Sequence, residues 1–161
     1  MATLPQLIEE DIRQLDDALV EFIRQADAIG ALIIDKGGFL ITHQGDMGEL
    51  DLTTIGALAS GAFMASQTIA GLVNEKNFNS TFQQGEKFSL YILEVDEECL
   101  LAIIFTSQTG LGIVKYYSSN VASSIAKQLT AARVRNPDGG FDLSVLNLAD
   151  PKELFRKKNK R

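Results

Sequence analysis

Residues 52–74 read LTTIGALASGAFMASQTIAGLVN, a run with no charged side chain, bracketed by Asp51 and Glu75. A surface helix of a soluble domain turns a charged face to water. One with no charge on any side is either covered all round or crosses a membrane. Thr53, Thr54, Ser60, Ser66, Gln67 and Thr68, together with Gly56, Gly61 and Gly71, make this run more polar than a spanning segment. The stretch therefore reads as a helix covered twice, by its own domain and by a second body.

On a wheel of about 100° per residue, Leu52, Ile55, Leu58, Ala59, Ala62, Phe63, Ile69 and Val73 form one side, a core stripe. Thr53, Gly56, Ala57, Ser60, Gly61, Met64, Gln67, Thr68 and Gly71 form the other. Each helical glycine costs about 1 kcal/mol relative to alanine, and small side chains let another backbone approach closely. These nine residues are the expected partner-facing surface. The competing reading is a helix flanked on both sides by elements of its own chain.

At 161 residues, with 45% apolar side chains and three prolines, the chain fits one folded domain with a sizeable core. Residues 1–27 are acidic and lack the basic-then-apolar order of a signal peptide. Cys99, the one cysteine, excludes an internal disulfide and any multi-cysteine metal site. Both features fit a reducing, cytoplasmic setting. Residues 1–132 hold seven Lys/Arg against seventeen Asp/Glu, whereas residues 133–161 hold eight against four. Such an acidic body repels nucleic acid, and no segment is expected to insert in a membrane.

Along the chain, Leu4, Leu7, Ile8, Ile12, Leu15, Leu19, Phe22 and Ile23 repeat at three and four, which predicts an amphipathic helix over about 5–26 with Pro5 in its first turn. Its acidic residues read as a solvated face. Ala28–Asp35 and Phe39–His43 are apolar runs separated by Lys36-Gly37-Gly38, the pattern of a β-hairpin. The first run is apolar on both faces, so it belongs inside a sheet. Asp51 is placed to cap the uncharged helix. Three further runs, 78–83, 88–95 and 99–105, are spaced as an antiparallel meander, and Val114, Tyr117, Val121, Ile125 and Leu129 mark a third helix over 111–132. The order α-β-β-α-β-β-β-α predicts an α+β fold with a five-stranded, mostly antiparallel sheet.

Residues that could carry chemistry are sparse. His43, the one histidine, stands at a strand end with Asp46 and Glu49 nearby, and no second ligand type recurs at metal spacing. Cys99 opens an apolar strand and reads as a small hydrophobe. Thr109-Gly110-Leu111-Gly112 precedes a helix but is too short a pattern to define a phosphate site. No catalytic residue, metal or cofactor is expected, and the chain does not read as an enzyme.

With that order in view, the chain resembles the Roadblock / dynein light chain family and, among bacterial members, the MglB-like regulators of small Ras-like GTPases. The residues carrying the resemblance are Ala31-Leu32-Ile33-Ile34-Asp35-Lys36-Gly37-Gly38-Phe39-Leu40-Ile41, the small-residue central helix, and Leu111-Gly112-Ile113-Val114-Lys115. It covers roughly residues 5–132, so residues 1–132 are taken as a Roadblock-like domain. Lys36-Gly37-Gly38 departs from the family's usual polar residue plus one glycine, in the turn alone. The resemblance implies a homodimer whose sheet continues across the two copies through the strand after the central helix, here Phe78, Ser80 and Phe82. It also implies that the paired helices receive a small GTPase of the MglA type and accelerate its GTP hydrolysis. Because residues 30–132 contain no arginine, an arginine finger from that platform is excluded, and activation must reposition the GTPase's own residues. The alternative is a non-catalytic adaptor of the dynein-light-chain type. A small-molecule sensor would need an apolar pocket with polar anchors, which the sequence does not show. A bulky charge at Ser60 or Gly61 is expected to damage dimer or GTPase binding before the fold.

Residues 133–161 form a basic extension outside the resemblance. Asn136-Pro137-Asp138-Gly139-Gly140 breaks the chain, Asp150 and Pro151 can open a short helix bearing Leu154 and Phe155, and Arg156-Lys157-Lys158-Asn159-Lys160-Arg161 follows. This end reads as a solubilising segment, a second contact to an acidic partner surface, or a contact to an anionic membrane or nucleic acid.

Overall fold

The computed structural model describes residues 4–135. In chain order the elements are α1 (Glu9–Ala26), β1 (Gly30–Asp35), β2 (Leu40–Gly45), α2 (Leu52–Leu72), β3 (Ser80–Gln84), β4 (Phe88–Glu94), β5 (Cys99–Thr106) and α3 (Leu111–Arg135). The expected α+β order is present, and the five strands form one antiparallel sheet, β2-β1-β5-β4-β3.

Strand side chains alternate between two cores because the pleat has a period of two. Ala31 and Ile33 of β1 and Leu101, Ile103 and Phe105 of β5 face α1 and α3, where they meet Leu15, Leu19, Phe22, Ile125 and Leu129. Leu32, Ile34, Leu100, Ala102 and Ile104 face the other way, onto α2 and its Phe63. β1 and β5 are therefore apolar on both faces, and they are the interior strands that such a composition requires. The turn between β1 and β2 closes with Gly38 at φ 98°, its N–H donating to the Asp35 carbonyl at 2.9 Å.

α1 begins later than the sequence suggests. The Asp11 carboxylate reaches back to accept the Ile8 N–H at 2.8 Å, which caps the helix there and leaves Pro5 ahead of the first turn. Leu4 and Leu7 are buried in the core even so. α3 runs on through Arg135, so residues 133–135 belong to the helix rather than to the extension. Arg135 pairs with the fully buried Asp11, and Arg133 pairs with Asp96 at 3.3 Å. Gln128 also donates to Asp11, at 2.8 Å. Burial opposes ionisation of that carboxyl, but Arg135, the Ile8 N–H and Gln128 outweigh it and hold the group below its ordinary range. The turn expected after residue 135 and the short helix near Asp150 lie outside the described residues.

α2 is where the expectation needs correction. Its buried stripe is Gly56, Ala59, Ser60, Phe63 and Ala70. Gly56 and Ser60, placed on the outward side by the wheel, lie against the chain's own sheet, while Leu58, Ile69 and Val73, placed in the core stripe, are 69%, 52% and 59% exposed. The helix is turned by roughly 60° from the expected orientation. Packing explains the rotation. Gly56 faces Ile34, where an added Cβ would stand 3.7 Å from Ile34 Cγ2, an ordinary contact with no space beyond it for a larger side chain. The Ser60 hydroxyl donates to the Lys36 carbonyl at 2.6 Å, tying α2 to the β1–β2 turn. A second correction concerns Phe78, which precedes β3 rather than belonging to it. Its N–H and carbonyl are both taken by the Gln67 side-chain amide, at 3.2 and 2.5 Å.

Candidate functional site

The outer face of α2 joins six of the expected surface residues: Thr53, Ala57, Gly61, Met64, Thr68 and Gly71 are all exposed. Gly56 and Ser60 are withdrawn from it, and Gln67 is half-buried in its bonds to Phe78. The face gains residues that the wheel had assigned inward or left out, namely Leu58, Ile69 and Val73, with Leu72 at 79% exposure. The result is larger and more apolar than the small-residue surface expected from sequence. An exposed apolar face is the kind of surface that proteins use for interaction, which makes this one the candidate site. α2 is also long and apolar enough, by composition, to cross a membrane, as no other helix among the described residues is. Its burial of Phe63, Ala59 and Ala70 on the sheet instead gives it a place in the fold.

Asp51 fixes the start of the helix, its carboxylate accepting the Thr54 N–H at 3.1 Å and the Thr54 hydroxyl at 2.6 Å. Those bonds, the hydroxyl's first, hold its carboxyl below the ordinary range, so the platform's N-terminal end is anionic. The four described arginines sit elsewhere. Arg13 and Arg24 pair with Glu10 and Glu21 on α1, and Arg133 and Arg135 pair on α3, all carried by helices on the opposite face of the sheet.

Beside α2, β3 is an edge strand with no neighbour on its outer side among the described residues. Ser80 is half-buried, and Phe82, 39% exposed, stacks on Phe105 with centroids 6.1 Å apart. Phe82 therefore covers the α3 side of the sheet rather than the α2 side. An open edge of this kind is a template for another strand. Between α2 and the β3–β4 hairpin lies an open groove of about 440 Å³ lined by Ile55, Leu90, Phe88 and Ile104 among others.

Elsewhere the chemistry is quiet. Cys99 is buried, and burial, then Asp96, pushes its thiol far up and leaves it inert. His43 is exposed on β2, and among the described residues no three His, Cys, Asp or Glu side chains converge to hold a metal ion.

A Roadblock/LC7 domain model matches residues 14–105 of the sequence. The chain belongs to the Roadblock/LC7 family. Within that family it is similar to MglB in a tetrameric arrangement, at 28% identity and a TM-score of 0.76, covering 82% of this chain and 99% of that one. The gliding protein MglB from Thermus thermophilus gives 28% and 0.74, covering 81% of this chain and 99% of that one. Myxococcus xanthus MglB gives 27% and 0.73, covering 78% and 95%. The likeness is one of sequence as well as fold, so this is an MglB-like Roadblock domain.

Proposed function

We propose that this MglB-like Roadblock protein is a homodimeric regulator of a small Ras-like GTPase of the MglA type, activating GTP hydrolysis through paired α2 helices. The observation that carries the reading is the uncharged, apolar outer face of α2, open beside the unpaired edge of β3. Two copies pairing at β3 would extend the sheet and bring Gly61, Met64, Thr68 and Leu72 of each α2 towards the symmetry axis. Such a pairing would cover both a strand edge and an apolar helix face.

With no arginine between residues 30 and 132, and the four described arginines carried by α1 and α3, the α2 platform supplies no arginine finger. Activation on this reading works by binding the GTPase conformation in which its own catalytic residues are aligned, a shift limited by the difference in affinity between its two states. The protein itself carries no active site and needs no cofactor. A titration of the GTPase, loaded in turn with a GTP analogue and with GDP, tests this. A regulator binds the GTP form more tightly. Equal affinity for both forms would make the protein an adaptor instead.

A further inference from the structure

Lys36, the residue at which the β1–β2 turn departs from the family's usual pattern, is bonded to three different elements. Its N–H donates to the Glu98 carbonyl in the β4–β5 turn at 2.8 Å. Its carbonyl accepts the Ser60 hydroxyl of α2 at 2.6 Å. Its ammonium pairs with Glu94 at the end of β4, reaching past β5 to do so. Both members of that pair are largely shielded, at 20% and 29% exposure. Closing a hairpin does not require a lysine held at both backbone groups and at its far end.

The bonds continue beyond that turn. One oxygen of the Asp96 carboxylate accepts the N–H groups of Glu98 and Cys99, both at 2.8 Å, which shapes the β4–β5 turn that offers the Glu98 carbonyl. The other accepts from the Arg133 guanidinium on α3 at 3.3 Å. Ser60, Lys36, Glu98, Asp96 and Arg133 thus form one unbroken relay. It begins on α2, rounds the end of the sheet through two turns, and ends on α3, which lies on the opposite face. Apolar side chains packed across a sheet slide by small amounts at little cost, whereas a hydrogen bond weakens steeply with misalignment. A shift at one end of the relay is therefore felt at the other. Its weakest link is the last. The Arg133 contact is the longest of the series, and Arg133 Nε is buried with no hydrogen-bond partner among the described residues. The guanidinium has a bond to gain by turning away from Asp96.

We propose that this relay couples the last turns of α3 to α2, with Lys36 as the positioning residue at its centre. While Arg133 holds Asp96, the Glu98 carbonyl, Lys36 and Ser60 stay aligned and α2 is held firmly on the sheet. Release of Asp96 loosens the middle of α2, around Ser60, without unfolding the chain. Control of α2 enters at the end of α3. That this control reaches a GTPase rests on the function proposed above; the coupling itself does not.

Amide hydrogen exchange on the full chain, comparing Arg133→Met with the parent, tests it. The amides of Lys36 and of residues 57–64 should exchange about threefold faster or more, while those of Leu15 and Leu19, on the face that carries α3, keep the parent rates. Arg133→Lys, which can still reach Asp96, should behave as the parent. Acceleration confined to the β4–β5 turn, or an equal rise across the whole chain, would overturn the coupling. Urea unfolding gives a second reading. Arg133 and Ser60 lie on opposite faces of the sheet, so without the relay their effects on the unfolding constant multiply. Arg133→Met/Ser60→Ala should instead fall about threefold short of that product. Lys36→Ala should abolish the shortfall and Lys36→Arg should keep it. A simple product in the parent background would overturn the coupling, and a shortfall that survives Lys36→Ala would overturn the role of Lys36. No GTPase is present in either experiment, so their failure leaves the regulatory reading untouched.

Discussion

Replacing Gly61 by arginine separates the fold of the protomer from its assembly. A Cβ at Gly61 meets nothing within 4 Å in its own chain, so the side chain enters open space. Within the protomer the change is a gain, because arginine is a better helix former than glycine by roughly 0.5–1 kcal/mol. In a two-fold dimer that meets along this face the same change puts two uncompensated cations into an apolar contact. A buried unpaired charge costs about 3 kcal/mol or more, and 3 kcal/mol alone raises a dissociation constant about 150-fold. Sedimentation velocity across a dilution series, with far-ultraviolet circular dichroism on the same samples, reads both quantities. The expected result is full helical signal with a monomer at concentrations where the parent is a dimer. Gly56→Arg is the contrast: Gly56 is buried over Ile34, and that variant should fail to fold. A Gly61→Arg protein that dimerises as tightly as the parent would refute the assignment of α2's outer face, and one that loses its helix signal would refute the packing argument.

Other outcomes follow from the same geometry. Ser60→Ala removes the 2.6 Å bond to the Lys36 carbonyl and should lower unfolding free energy in urea by about 1 kcal/mol while leaving assembly unchanged. Asp11→Asn breaks the pair with Arg135, whose side chain is 41% exposed, so the loss near neutral pH should be about 2 kcal/mol rather than the larger figure for a fully buried pair. The carboxyl's folded-state pKa lies below its ordinary 3.8, so its contribution is complete above that pH and is lost as pH falls below it. Urea curves for parent and variant should accordingly differ at pH 7 and converge towards pH 2. Gly45→Ala should cost more than about 2 kcal/mol, read as a fall in melting temperature, because φ is 114° and the added Cβ would stand 2.3 Å from the Ile29 carbonyl oxygen.

The sequence carried the fold well where patterns were strong. β1 and β5 are apolar on both faces and occupy the interior of the sheet, and the Gly37-Gly38 turn between β1 and β2 announced the hairpin. The amphipathic stripe of α1 predicted Leu15, Leu19 and Phe22 as core. The helical wheel misplaced α2, because a helix that is apolar or small on every side has no strong stripe to fix its rotation. There the deciding facts are tertiary: how closely Gly56 seats on Ile34, and that Ser60 and Gln67 spend their polar groups on the Lys36 carbonyl and the Phe78 backbone. A serine and a glutamine in an uncharged helix are a usable signal for such inward bonds. Leu72 was missed for a related reason, since it fell in neither stripe and only the packed helix shows it to be the most exposed of the apolar side chains on α2. The start of α1 escaped because the cap is made by Asp11 reaching backwards, whereas Pro5 resembled an ordinary first-turn residue.

The central claim is that α2's apolar face regulates a GTPase without contributing an arginine. Phosphate release by an MglA-type GTPase, followed in single turnover with and without this protein, tests it most directly. The expected result is faster release with the parent protein and with a variant in which Arg13, Arg24 and Arg133 are replaced by lysine, but no acceleration with Gly61→Arg. Unchanged release with the parent protein, or acceleration that survives Gly61→Arg, would contradict it.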